Sequence, residues 1–461
     1  MAARIAKNLL CLQQNKFRHL FRKYSSTLYM TGDKAKETFS VVTPHIDIEE
    51  RLKDVESLKK NVKLRRMDHI DVDSVKSMWE VLKKIEADKR ALETRRIEIA
   101  EKIKDLKASS GENEEELGKL KLHGKLTRDD LKTTVKAIWG VEKNVVPKIL
   151  GLPNELNSRT PVSEAKVITH FGDVPSKPSA ESHLEIGKNL NLLDYINPEL
   201  YYLKGKSAIF ELQALSYFAS RISEANFVKF SNSDFSRSVV VEGCGVNHED
   251  PLETFIIEDT DDLIQAMKDP NRLHLVGGAS LMSFAAFHAK QIVPESALPL
   301  KLVAVGRQYK PQTRNGPGLF GACQSSSVEL FISNKDDHEQ VMTEFDNCVT
   351  LITNIYKDLG FPFRVVYVPA MDLNLFESLK VSFQMYSSHL QSYVEIGHLS
   401  LCDDFISKRL LLHYGTEKEL KFTHVISGTA VAVPKLLACL LELFSDFDSI
   451  PLPEDLRNYL M

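Results

Sequence analysis

Between Val75 and Leu106 apolar side chains recur at 75, 78, 82, 85, 92, 99, 103 and 106, and Lys89 and Arg96 take the remaining seam positions of the heptad. That spacing predicts a long helix carrying a coiled-coil seam. Ser109-Ser110-Gly111-Glu112-Asn113 then reverses the chain, and Leu131, Val135, Ile138, Val145 and Ile149 supply a returning stripe that Pro147 helps to end. Two helices of about 35 residues folded back on each other form an antiparallel coiled-coil arm over about 74–149, roughly 50 Å long.

After Gly151-Leu152-Pro153-Asn154 the pattern changes. A Ser/Pro-rich stretch reads as a linker over 151–180, and from 181 to 461 the chain is globular in composition. Short β-like runs at Ser238–Val241, Leu273–Val276, Leu302–Val305, Val328–Ile332 and Arg364–Val368 alternate with helical stretches at 206–223, 336–358 and 434–446. This order predicts an α+β fold, an antiparallel sheet with flanking helices, rather than a regular βαβ alternation. No internal repeat stands out.

A chain of 461 residues, 43% of them hydrophobic, is long enough for two or three domains with a substantial core. Its net charge of −4 is unevenly spread. Arg4, Lys7, Lys16, Arg18, Arg22 and Lys23 precede the first acidic residue, Asp33, and Leu9, Leu10, Leu12, Phe17, Leu20 and Phe21 give the same stretch an apolar face. Residues 1–25 therefore read as a mitochondrial transit peptide, with Arg22-Lys23-Tyr24-Ser25-Ser26 suited to cleavage near residue 24, and the expected location is the mitochondrial matrix. Residues 26–150 then hold a lead segment and the arm. The most apolar run, Val425–Phe444, contains Pro434, Lys435 and Glu442, so membrane insertion is not expected. The six cysteines form no C-x-x-C pair, which argues against a disulfide framework or a zinc site.

Basic residues gather near the arm. Residues 51–66 contain seven basic and two acidic side chains, whereas the arm tip carries Glu112, Glu114, Glu115 and Glu116. An RNA contact, if made, belongs at the base and flank, with Lys59, Lys60, Lys63, Arg65 and Arg66 as candidates, because carboxylates at the tip repel phosphate. The bland alternative is a solvated helix face.

Gly316, Gly318 and Gly321 satisfy a G-x-G-x-x-G spacing, but the residues after them, Ser325–Ser333, alternate like a strand. A dinucleotide loop would have to open a helix there, so a glycine-rich hairpin is the better reading.

Several strings resemble seryl-tRNA synthetase, a class II aminoacyl-tRNA synthetase, over nearly the whole chain beyond residue 25. His183-Leu184-Glu185-Ile186-Gly187 with Leu192-Leu193-Asp194 is similar to the opening of that family's catalytic domain. Tyr201-Tyr202-Leu203-Lys204-Gly205, with Ala208 and Leu212–Leu215, resembles its dimer-forming first motif, and Ile450-Pro451 through Tyr459 resembles its closing string. Ala304–Glu329 resembles its ATP-binding hairpin. The resemblance implies a class II synthetase-like sheet behind the helical arm, and a dimer.

It also implies what is missing. Arg307 matches the leading arginine of the second motif, but Tyr309 stands for its glutamate. Gly321, Cys323, Ser325 and Ser327 stand for an arginine, a histidine, the adenine-stacking phenylalanine and a lysine, while Glu329 is kept. Gly278 and Ser280 replace the Thr-x-Glu that holds serine. Glu395 matches a metal-binding glutamate, but His398 replaces the serine that completes that site; Arg409 is kept, and Pro434-Lys435 replaces a Gly-Arg pair. Lysine lacks the bidentate fork of arginine. Losing several preorganised donors removes on the order of 8 kcal/mol of transition-state stabilisation, about a million-fold in rate.

The chain is thus expected to be a pseudo-enzyme without cofactors, with Arg307, Glu329, Glu395 and Arg409 as vestigial positions. Its expected role is a dimerising regulatory or stabilising partner of the mitochondrial seryl-tRNA synthetase, or a homodimer. Alternatives are an independent mitochondrial RNA-binding protein and, remotely, an enzyme rebuilt around Cys323 and His398.

Overall fold

The computed structural model describes residues 26–30, 42–108, 114–175, 178–257, 272–311, 316–416 and 419–457. The transit-peptide reading of 1–25, the arm tip at 109–113 and the closing Asn458-Tyr459 lie outside the described residues.

The arm consists of α1 (Val72–Ala108) and α2 (Glu114–Leu150). Each has 37 residues, so each is about 55 Å long. Val75, Leu82 and Ile99 are buried on one helix, and Leu131, Ile138, Val145 and Ile149 on the other. The seam is less regular than the heptad implies. Arg96 is exposed, Ile97, Leu122 and Leu126 are more than half exposed, and Lys89 pairs with Glu93 at 3.7 Å. Two helices alone can cover only a narrow stripe of each other, so side chains beyond it stay in water. Pro147 lies inside α2 rather than ending it. Its missing N–H removes only one bond from the last turn, and the chain leaves the helix at Gly151, whose N–H donates to Pro147 O at 3.0 Å.

Cationic side chains placed on main-chain oxygens fix the arm's base to the domain. The short helix Val55–Leu64 starts at Asp54, whose carboxylate accepts from Ser57 N at 2.9 Å. Just past its end, Arg65 is only 5% exposed and donates to Asn154 O (3.0 Å), Asn374 O (2.8 Å) and Glu377 O (2.6 Å). Asn61 Oδ1 orients its Nε at 3.0 Å.

The domain is built on an eight-stranded sheet: β1 (Lys166–Phe171), β2 (Val228–Phe230), β3 (Leu300–Tyr309), β4 (Gln324–Asn334), β5 (Phe363–Tyr367), β6 (Leu379–Ser387), β7 (Ser392–Asp403) and β8 (His424–Ala432). Their spatial order is β1-β5-β6-β7-β8-β4-β3-β2, antiparallel throughout except for the parallel edge pair β2 and β3. Three long helices, α3 (Lys206–Ser223), α4 (His338–Leu359) and α5 (Val433–Phe444), cover one face. They bury Phe210, Phe218, Phe345 and Tyr356 against Leu330 and Phe383, about 1.5–3 kcal/mol for each large side chain removed from water. These helices fall within two residues of the stretches at 206–223, 336–358 and 434–446.

Two segments differ from the sequence pattern. The stretch expected as a linker contains β1, whose Lys166 pairs with Tyr367 and Phe171 with Phe363 at the sheet's edge. Ser238–Val241, β-branched and strand-like, instead begins a six-residue helix, Ser238–Gly243. Packing overrides propensity there: Ser238 Oγ meets His274 Nε2 at 2.8 Å, and Val241 and Glu242 are buried. The glycine-rich run behaves as a hairpin connection. Gly318–Gly321 forms one 3-10 turn that leads into β4, with no helix following it.

Candidate functional site

The other face of the sheet opens into a cavity of about 980 Å³, walled by the arm's base and floored by the central strands. Alternation along β3 and β4 decides which side chains reach it. Val303 and Leu330 point into the helix-covered core, whereas Leu302, Ala304 and Phe331 point to the opposite side. Gln308 and Glu329 share that second face and line the cavity. Arg307 falls on the first face and does not.

Glu329 is the best-supported polar group on the floor. It accepts from Thr429 Oγ1 (2.7 Å) and Gln308 Nε2 (3.0 Å) on one oxygen and from Ser427 Oγ (3.1 Å) on the other. Burial pushes its carboxyl up to about 7, against those hydrogen bonds and the charge of Lys310. Arg307 turns instead to Tyr201 Oη (3.4 Å) and Glu211 Oε1 (3.5 Å) beneath α3. Arg409, also buried, donates to Phe405 O and to Leu150 O, both at 3.1 Å, so it ties the end of the arm to the domain. Of the four positions Arg307, Glu329, Glu395 and Arg409, only Glu329 lines the cavity.

Glu395 lies beside the cavity. Lys380 Nζ sits 3.2 Å from its Oε1 and 3.1 Å from its Oε2, and His398 Nδ1 is 3.6 Å from Oε1. Burial would raise the Glu395 carboxyl, but Lys380, His398 and Lys435 outweigh it and bring it down to about 2. Burial and then Lys380 hold the His398 imidazole near 3, and burial lowers the Lys435 ammonium to about 8. Lys380 is a residue that the motif comparison missed. Its signal was a lone charged side chain in the otherwise apolar and hydroxyl-bearing run Leu379–Phe383.

The segment replacing Thr-x-Glu runs backbone to backbone against β3: Tyr309 N donates to Val276 O (3.1 Å) and Ala279 N to Arg307 O (3.2 Å). Gly277 has φ +90, and a Cβ there would lie 2.0 Å from Arg307 O. Gly278 N donates to Asp234 Oδ1 at 2.7 Å. Ser280 lines the cavity, yet its hydroxyl bonds Gly277 O at 2.8 Å and caps the helix Leu281–His288.

Tyr309, the last residue of β3, also lines the cavity although it shares the parity of Arg307, so alternation holds only up to the strand's end, while Gly321 is buried in the 3-10 turn. Ser325 and Ser327 meet each other at 3.1 Å. Cys323 lies outside the cavity lining, 3.9 Å from Glu199 Oε1, and burial followed by Glu199 pushes its thiol up. That is the wrong direction for a nucleophile, and its partner is not His398. Lys60, Lys63 and Arg66 are exposed, and Lys59 pairs with Asp73 at 2.9 Å. Arg65 leaves the basic surface altogether, because its guanidinium is occupied by three carbonyls inside the fold.

Comparison with known proteins agrees with this architecture. The family described as tRNA synthetase class II core domain (G, H, P, S and T) matches residues 266–444. The serine–tRNA synthetase-like protein Slimp of Drosophila melanogaster is 30% identical over 423 residues, covering 90% of this chain and 88% of Slimp. The chain belongs to the seryl-tRNA synthetase family. The mitochondrial serine–tRNA ligase of Mus musculus is 27% identical over 453 residues, covering 93% of this chain and 85% of the mouse protein. The fold of the seryl-tRNA synthetase from Pyrococcus horikoshii, crystallised with ATP, superposes with a TM-score of 0.77 at 19% identity, over 90% of this chain and 97% of that one.

Within this synthetase frame the surroundings of Glu395 do not fit a divalent ion. Magnesium selects oxygen ligands at about 2.0–2.1 Å, whereas this carboxylate faces an ammonium and an imidazole. Among the described residues no group of three or more His, Cys, Asp or Glu side chains is placed to hold a metal, and no helix is long and apolar enough to cross a membrane.

Proposed function

We propose that this chain is a mitochondrial matrix pseudo-enzyme of the seryl-tRNA synthetase family. It does not activate serine, and it acts as a dimerising regulatory or stabilising partner of the mitochondrial seryl-tRNA synthetase. The observation that carries this reading is the lining of the cavity, which among the described residues contains no arginine. Adenylate formation builds charge on phosphorus, and removing one preorganised donor for such charge costs ~3–4 kcal/mol. Here Arg307 and Arg409 are turned to structural partners, and Gly278, Ser280, Cys323, Ser325 and Ser327 offer no replacement.

A pairing surface supports the dimer. Ile196 (64% exposed), Leu200 and Tyr202 on the hairpin Leu193–Leu203, with Ile209 and Leu212 on the following helix α3, leave apolar side chains in water, and Tyr202, Ile209 and Leu212 fall within the stretch that resembles the family's dimer motif. Class II dimers use self-complementary patches, so a degenerate copy can pair with an active relative. The basic sequence of 1–25 and the named mitochondrial ligase among the relatives support the location.

Two measurements test it. Serine-dependent ATP–pyrophosphate exchange is expected to be absent from the purified chain; measurable turnover would end the pseudo-enzyme reading. Affinity purification from mitochondria, with and without nuclease, is expected to recover seryl-tRNA synthetase in both halves and to lose it with Ile209→Asp/Leu212→Asp. Recovery of the chain alone would instead point to a homodimer.

A further inference from the structure

We propose that Lys380 is a built-in cation that takes the place of a divalent ion at Glu395. The site is thereby neutralised without metal and closed to a metal-bound triphosphate.

The ammonium is centred on the carboxylate, 3.2 Å from one oxygen and 3.1 Å from the other. A divalent ion on the same oxygens would lie within a few ångströms of a positive charge that solvent screens only in part, because the Lys380 side chain is 13% exposed and that of Glu395 28%. Its backbone is held in β6, in register with Ser400 of β7, and Leu379 and Val381 on either side are fully buried, so the strand keeps the root of the lysine beside Glu395. The same register pairs Ser382 with His398, so an imidazole stands next to the carboxylate where a small oxygen ligand would be needed.

An ordinary surface ion pair would look different, with long side chains in water and a single contact between them. Here the acid is shared between a bidentate lysine and a histidine, all three on the paired strands β6 and β7. The consequence is a fold whose old metal position needs no ion. It holds whichever partner the chain takes, and its test does not depend on that partner.

The full chain is titrated with manganese(II) while the paramagnetic resonance signal of the hydrated ion is followed, and melted in EDTA and in magnesium. The wild type is expected to leave the manganese signal unchanged and to melt at the same temperature in both buffers. Lys380→Met is expected to melt several degrees lower, to take up one manganese per chain and to recover part of its midpoint on doing so. Lys380→Arg stays closed, and adding Glu395→Gln to Lys380→Met abolishes the uptake. Stoichiometric uptake by the wild type that Glu395→Gln removes would overturn the proposal, as would a Lys380→Met protein that neither loses stability nor gains manganese. If Lys380→Met does not fold, the wild type and Glu395→Gln alone still decide it: uptake lost in the variant overturns it, and silence of both with magnesium-insensitive melting upholds it.

Discussion

Arg307 Nη1 lies 3.5 Å from Glu211 Oε1, on the side of the sheet turned away from the cavity. The guanidinium is 39% exposed, and Glu211 also accepts from Ser326 Oγ at 2.6 Å. Such a pair is screened by solvent and contributes little. Arg307→Ala should therefore change stability by less than about 1 kcal/mol, read from urea midpoints, and should leave ATP affinity unchanged from the wild type. A clear loss of nucleotide affinity in the variant would show that the side chain reaches the cavity after all.

Glu329 should give the protein a pH dependence of definite sign. Its folded-state carboxyl is raised to about 7, whereas an unfolded glutamate titrates near ~4.3. Between those values the folded state holds a proton that the unfolded chain has released. The stabilising contribution is complete below about pH 4 and is lost as pH rises through about 7. Glu329→Gln keeps an acceptor for Thr429 and never ionises, so relative to wild type it should gain stability between pH 5.5 and pH 7.5, by at most about 3 kcal/mol. Equal differences at the two pH values would mean that Glu329 ionises normally in the fold.

The arm, the three long helices and the family were legible in the sequence because each rests on repeated or local signals: a heptad, an amphipathic period, a contiguous string. The site was legible only by position. Gly321, Cys323 and Ser325 could be matched to missing functions, yet nothing in the string told that Arg307 falls on the helix-covered face. Strand parity decides that, and it depends on register with β4, where Ser326 pairs with Arg307. Lys380 stood out only as a lone charge in its run, and its partner was hidden for a similar reason, since Glu395 is brought close only by the β6–β7 pairing. His183 shows the converse. Its place in the family-like string has a packing reason, because Nδ1 meets Glu442 at 2.7 Å while Nε2 accepts from Leu319 N at 3.1 Å.

The second reading, RNA binding near the arm's base, now rests on fewer residues. Charge reversal of Lys60, Lys63 and Arg66 should leave the melting temperature unchanged and, if RNA docks there, should weaken binding and flatten its salt dependence. Arg65→Ala belongs to a different class. It leaves Glu377 O without the Arg65 donor and takes one of two donors from Asn154 O, which keeps Asn61 Nδ2, and from Asn374 O, which keeps Glu377 N, at a cost of about 1–3 kcal/mol. A stable Arg65→Ala protein with impaired RNA binding would contradict this assignment.

Glu242 fastens the lead segment to the domain. Its Oε2 accepts from Thr27 N (2.7 Å), Thr27 Oγ1 (2.8 Å) and Leu28 N (2.9 Å), and Leu28 is fully buried behind it. One residue on, Tyr29 Oη donates to Glu142 Oε1 at 3.0 Å, so three consecutive residues bridge the domain and the arm. An intramolecular hydrogen bond contributes ~0.5–1.5 kcal/mol, and these three share one oxygen. Glu242→Ala should release the segment: amide exchange at Thr27 and Leu28 should rise by orders of magnitude, and exchange along α2 near Glu142 should rise with it. Glu242→Gln, which retains one acceptor oxygen, should fall between. Fast exchange at Leu28 with no change in α2 would mean that the segment packs on the domain without bracing the arm.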